Sequence, residues 1–134
     1  MDKKEILAFI AENPMGYLGT VEGNAARVRG METFRADEKG LIFYTSKVKD
    51  VFKQVAKNPE VEVCYFAKGT QVRVRGKIEM VEDLALKKEI VEKRPFLKPE
   101  YEKGYDGLAV FRLKGKATTW SMQNMAAPKT FINL

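Results

Sequence analysis

Alternation with a period of two, interrupted repeatedly by tight glycine turns, limits most strongly what this chain can become. The turns are Glu22-Gly23-Asn24, Asp37-Glu38-Lys39-Gly40, Lys68-Gly69 and Lys114-Gly115. The runs they separate are rich in β-forming residues, and the longest alternates apolar and polar, the signature of a half-buried strand. Strands are expected over Met15–Val21, Ala25 to about Arg35, Leu41–Thr45, Val61–Phe66, Thr70 to about Val81, Leu108–Leu113 and Ala117–Met122. The longest puts Val72, Val74, Ile78 and Met80 on one face and Gln71, Arg73, Arg75 and Lys77 on the other. Strands joined by such short turns pair antiparallel. An open sheet of this size would leave edges exposed, and closure removes them. The expected class is mainly β with α: an antiparallel barrel of six or seven strands with two or three flanking helices.

The helices are expected where the period lengthens. Residues 3–12 put Ile6, Leu7, Phe9 and Ile10 on one side, and Asn13-Pro14 ends the run. A second helix is expected from about Lys47 to Lys57, with Val48, Val51, Phe52 and Val55 as its buried stripe, Ser46 as N-cap and Asn58-Pro59 as its close. Asp83 is expected to cap a third, to about Lys93, with a stripe of Leu84, Ile90 and Val91. Residues 94–106 read as loop and the residues after Met122 as a tail. The 134 residues suit one domain over 1–134, without linker or repeat.

Composition excludes much chemistry. The chain has no histidine and one cysteine, Cys64, in an apolar run that suggests a buried small hydrophobe. Cys–His and Ser–His catalysis and most zinc sites are thereby removed, and no metal site is expected. No apolar run is long enough to span a bilayer, and Met1-Asp2-Lys3-Lys4-Glu5 leads into an amphipathic helix, so the expected location is cytoplasmic, with no membrane partner. A net charge of +6 by itself admits a phosphorylated ligand, an anionic membrane surface or nucleic acid, and does not choose among them. For nucleic acid the aromatics are scattered and no stacking signature accompanies the basic strand, so single-stranded nucleic acid is the weaker expectation.

Three segments could carry a ligand. In Phe43-Tyr44-Thr45-Ser46-Lys47-Val48-Lys49 a strand delivers hydroxyls to a helix start, where free amides and a lysine favour a phosphate. The same residues also describe an ordinary serine-capped helix with a solvated lysine. Arg27 and Arg29, flanking Val28, share a strand face and suit phosphate by their planar fork, or simply make a solvated face. Gln71 offers an amide to the edge of a planar heterocycle, and Gly76 within its strand suggests a bulge or a close backbone approach.

Taken in order, Arg27-Val28-Arg29, Phe43-Tyr44-Thr45, a lysine near the helix start, Asn58-Pro59-x-Val61 and Gln71-Val72-x-Val74-x-Gly76-Lys77 resemble the FMN-binding split β-barrels related to pyridoxamine 5′-phosphate oxidase, over roughly residues 15–82. The resemblance implies FMN held by Arg29 and its neighbours Arg27 and Val28, by Tyr44, Thr45 and Ser46, and by Lys49. Val48 stands where the family has an arginine. It also implies a homodimer with flavin sites at the interface, where Gln71 reaches the partner's flavin. Trp120 then either stacks on flavin or packs in core or interface, and Met125, Ala126, Ala127, Phe131, Ile132 and Leu134 would pack across the boundary. The substrate half of the family pattern does not carry over. There is no histidine for its closing Arg-x-His, and Arg94-Pro95 alone echoes its Tyr…Arg-Pro…Ser run. The implied function is a flavoprotein, an FMN-dependent oxidoreductase or electron carrier with an unidentified small substrate or redox partner, and not vitamin B6 oxidation. The deazaflavin F420 or haem, used by relatives of the fold, are the alternative cofactors. No side chain is singled out as a catalytic acid or base.

Overall fold

Every expected strand is present, and their ends meet. The computed structural model describes all residues, Met1–Leu134. The strands are β1 (Met15–Glu22), β2 (Ala25–Asp37), β3 (Gly40–Ser46), β4 (Glu60–Ala67), β5 (Thr70–Met80), β6 (Leu108–Leu113), β7 (Lys116–Ser121) and β8 (Ile132–Asn133). The helices are α1 (Lys3–Glu12), α2 (Asp50–Lys57), α3 (Leu84–Lys93) and α4 (Lys98–Tyr101). Neighbours run β4-β1-β2-β3-β6-β5, and β5 returns to β4, so six antiparallel strands close a ring that β7 and β8 extend. This is the mainly β split barrel expected.

The split lies in β5. Its first part, Thr70–Arg75, pairs with β7, and its last, Ile78–Met80, with β6. Between them, a Cβ on Gly76 would lie 3.1 Å from the Gly115 Cα. Of the two readings of Gly76, the close backbone approach is therefore the right one; pairing with β4 runs through it unbroken, Val61 opposite Gly76.

The barrel interior holds Leu18, Phe43, Val63, Tyr65, Val72, Val74 and Phe111, and Ile6 and Ile10 of α1 pack into the same core. Asp2 and Glu5 make reciprocal side-chain-to-backbone bonds at the start of α1, so its first turn is closed without help from outside. Tyr65 is fully buried and its hydroxyl is bonded to Thr33 Oγ1 at 2.5 Å. A second core lies outside the ring, where Ile42, Leu108 and Val110 meet Leu86, Ile90 and Val91 of α3 and Tyr101 of α4. Strands β3 and β6 are thus covered on both faces, which is why Leu41–Tyr44 and Leu108–Phe111 run apolar without alternation.

Several expectations need correction. Helix α2 begins at Asp50 with Lys49 as N-cap, so Ser46 is not its cap and Val48, 76% exposed, is not in its buried stripe; that stripe is Val51, Gln54 and Val55. In α3 Leu84 is exposed, and Leu86 and Lys87 join Ile90 and Val91 in the interior. Residues 94–106 are not all loop: Pro95–Leu97 form a 3-10 turn that runs into α4. Cys64 is not in the core. It sits half-buried on the outer face between Tyr17 and Arg73, because the interior parity of β4 belongs to Val61, Val63 and Tyr65. Met80 is likewise exposed. The tail does not all project outward. Ile132 pairs with Ala117 as part of β8, and Leu134 is buried in the chain's own core.

Candidate functional site

The hydroxyl-rich end of β3 opens into a hollow of about 260 Å³. Gly30, Glu32, Tyr44, Thr45, Ser46 and Lys49 line one side of it; Phe96, Glu100 and Tyr101 line the other. Thr45 is buried, and Ser46 is turned back on its own loop, where its Oγ accepts from the Val48 amide at 3.3 Å. Lys49 follows at the N-cap of α2 and makes no side-chain capping bond. The first amides of α2 therefore lack a capping side chain, and the positive end of the helix is free for an anion. Lys49 also has no carboxylate within ion-pair distance, although Asp50 is next to it in sequence.

Arg29 lies against the same helix. Leu18 and Arg29 face each other across the β1–β2 pair, which turns the guanidinium toward α2. One terminal nitrogen donates to Leu18 O at 3.0 Å and Thr20 Oγ1 at 2.8 Å; the other donates to Gln54 Oε1 at 2.5 Å. Two of the five guanidinium N–H donors stay uncommitted. All three partners are neutral. Burial lowers the Arg29 pKa, and the Asp50 carboxylate, which does not bond to it, works in the opposite direction. Arg27, by contrast, already has a carboxylate: Glu22 accepts from it at 3.2 Å. Of the two arginines, Arg29 is the one that forms no ion pair inside the chain, Asp50 reaching it only through its field.

Gln54 was not legible as a site residue. It is buried, its Oε1 accepts from both Arg29 and Thr20, and its Nε2 donates to Glu22 at 3.3 Å. The one signal for it was an amide on the apolar stripe of α2, between Val51 and Val55. Glu32 was missed as well. Its carboxylate accepts from Tyr44 at 3.0 Å and from Arg94 at 2.7 Å, tying the start of the 94–106 segment to the wall of the hollow. Burial, reinforced by the bond to Glu32, pushes the Tyr44 hydroxyl up to about 12. Arg94 thus serves that wall and lies 5.1 Å over the Phe34 ring.

The remaining expected residues lie elsewhere. Gln71 stands opposite both Phe66 and Trp120 across β4, β5 and β7. Gln71 and Trp120, with Arg73, Thr118 and Lys129, line a separate hollow of about 310 Å³. Trp120 is 38% exposed, so it is not a core residue. Val28 points away from Arg27 and Arg29, onto the outer face, and is 70% exposed. The chain therefore assembles Tyr44, Thr45, Ser46 and Lys49 in one hollow, keeps Arg29 against α2 outside its lining, and holds Gln71 with Trp120 apart from both.

The sequence matches the family model described as pyridoxamine 5′-phosphate oxidase over residues 2–119. No curated protein matches it. Among solved structures it is similar to a NimC/NimA family protein from Clostridium acetobutylicum, at 29% identity and a TM-score of 0.79, covering 98% of this chain and 93% of that one. General Stress Protein 26 from Bacillus anthracis aligns at 20% identity and a TM-score of 0.76, covering 98% of each chain. A heme binding protein from Mycobacterium smegmatis aligns at 13% identity and a TM-score of 0.71, covering 99% of this chain and 58% of that one. The last two likenesses concern the fold alone. The family match spans nearly the whole barrel, and the chain belongs to the pyridoxamine 5′-phosphate oxidase family.

Proposed function

We propose that this protein binds FMN by its phosphate and acts as a flavoprotein, an oxidoreductase or electron carrier of the cytoplasm. The observation that carries the reading is the pair Arg29 and Lys49. Neither cation forms an ion pair, and both lie at α2, whose N-terminus no side chain caps. A dianionic phosphate fits that arrangement through charge and amide donors together. Thr45 adds a hydroxyl to the same wall. When bound, FMN would supply hydride or electron transfer, and the chain's part is to anchor, orient and shield it. Gln54 and Thr20 hold the Arg29 guanidinium without neutralising it. Tyr44 stays protonated through the physiological range and its one hydrogen is committed to Glu32, so it fixes the wall of the hollow and does not act as a base there. Haem is supported less well. Its usual histidine ligand is missing from the sequence, and the one thiol is half-buried beside Arg73, with its pKa raised by burial.

The same reading includes a homodimer. Met15 and Tyr17 of β1, Val28 of β2, Phe66 of β4 and Trp120 of β7 are exposed apolar residues of the outer face, with Gln71 of β5 between the last two. A second copy related by a two-fold axis would cover that face twice with one surface. It would also supply Gln71 and Trp120 as the second wall that each phosphate hollow lacks.

The test begins with colour. The purified protein is expected to be yellow, or to become so with added FMN, and the released chromophore to have the mass of FMN. Lys49→Ala and Arg29→Ala should each weaken FMN by roughly 10- to 100-fold, the worth of one charged contact. A colourless protein that ignores added FMN would overturn the proposal, as would tight FMN binding by both variants.

A further inference from the structure

A second group of cations without an ion pair lies at the split in the middle of β5. There the turn between β6 and β7 presses directly on the strand: a Cβ on Gly115 would fall 2.1 Å from the Arg75 carbonyl oxygen. Only glycine permits that backbone-to-backbone contact, and it brings Lys114 and Lys116 to either side of Arg75. Lys116 is the direct cross-strand partner of Arg75. Like charges facing each other across strands destabilise a sheet unless something offsets them. The nearest carboxylates are engaged elsewhere: Glu62, opposite Arg75 on β4, pairs with Arg73 at 3.2 Å. Arg75, Lys114 and Lys116 form no ion pair, and the nearby Glu60 is turned to Lys77 at 4.0 Å.

The three cations border a hollow of about 560 Å³, which Asn133 and the Lys77-facing Glu60 also line. The guanidinium of Arg75 is held 4.4 Å over the Phe131 ring, so its stem and plane are fixed while its N–H edge stays open. The hollow shares no residue with the one beside Lys49. Its volume leaves room for more than a single phosphate.

We infer that this hollow is a second anion site, which takes a multiply charged oxyanion such as the diphosphate group of a phosphorylated metabolite. Three converging cations match that charge, and the fork of Arg75 with two mobile ammonium groups suits adjacent phosphoryl oxygens. The inference does not rest on flavin binding.

Inorganic pyrophosphate is the probe, titrated into the purified protein by calorimetry with and without saturating FMN. Binding is expected to be unaffected by FMN and by Lys49→Ala. The Lys114→Gln/Lys116→Gln double variant should bind at least about tenfold more weakly, and Lys114→Arg/Lys116→Arg should keep the affinity. Arg75→Gln, which leaves the turn untouched, should show a similar loss; melting curves on each variant confirm that it is folded. No binding to the wild type at millimolar pyrophosphate would overturn the inference. So would undiminished binding by both glutamine variants, or competition by FMN together with loss in Lys49→Ala, which would place the pyrophosphate in the hollow beside α2.

Discussion

Replacing Gln54 with glutamate changes the charge around Arg29 while keeping the shape of the side chain. In the native arrangement Oε1 accepts from Arg29 at 2.5 Å and from Thr20 at 2.6 Å, and Nε2 donates to Glu22 at 3.3 Å. A carboxylate at position 54 keeps both acceptor bonds and loses the donor, so it gains attraction to Arg29 and repulsion from Glu22. Unit charges about 4 Å apart interact by about 4 kcal/mol at an effective dielectric constant near 20, and the two contributions have opposite sign. They largely cancel in the stability of the fold. They do not cancel for a bound phosphate, which loses the field of one unpaired cation, worth about 1.5–3 kcal/mol. FMN should therefore bind roughly 10- to 100-fold more weakly to Gln54→Glu. Riboflavin, which has no phosphate, should bind with unchanged affinity. Quenching of flavin fluorescence, titrated with each ligand in turn, measures both. An unchanged FMN affinity would refute the reasoning, and so would an equal loss for both flavins, which would point to general disruption.

Gly115→Ala should lower stability by about 3 kcal/mol, roughly 10 °C in melting temperature, because the new Cβ meets the Arg75 carbonyl; a melting curve within a degree or two of wild type would contradict that contact. Tyr44 titrates near 12 in the fold against about 10 unfolded, so the folded state holds its proton more tightly. Its contribution is complete below pH 10 and is lost as pH rises from 10 toward 12, so Tyr44→Phe should flatten the decline of stability over that window, read by denaturant unfolding at several pH values. Sedimentation is expected to show a dimer, and Gln71→Ala with Trp120→Ala should weaken FMN binding while leaving the hollow at Lys49 intact; a monomer that holds FMN tightly would rule the shared site out.

The barrel was legible because its signals are local. A period of two reports which face a residue takes, and Gly23, Gly40 and Gly69 adopt the positive φ that their turns require. The resemblance in residue order likewise brought out Tyr44, Thr45 and Lys49, which the structure does place around one hollow. The start of α2 was misread for a local reason too. Ser46 accepts from the Val48 amide and its carbonyl accepts from the Lys49 amide, a turn that imitates an N-cap in sequence. Cys64 lies in an apolar run but takes the outer parity of β4, and parity is set by how the strand packs, not by its composition. What the sequence alone determined was therefore the order of strands, turns and helices and the family they resemble. The tertiary structure alone decided which cations stay unmatched. Arg29 meets Gln54 and Thr20, Arg27 meets Glu22, and Arg75 meets Lys116 with no carboxylate between them. Those pairings depend on strand register and on helix docking across 25 or more residues of chain in the case of Gln54, and no local pattern of residue types encodes which charge will find a partner.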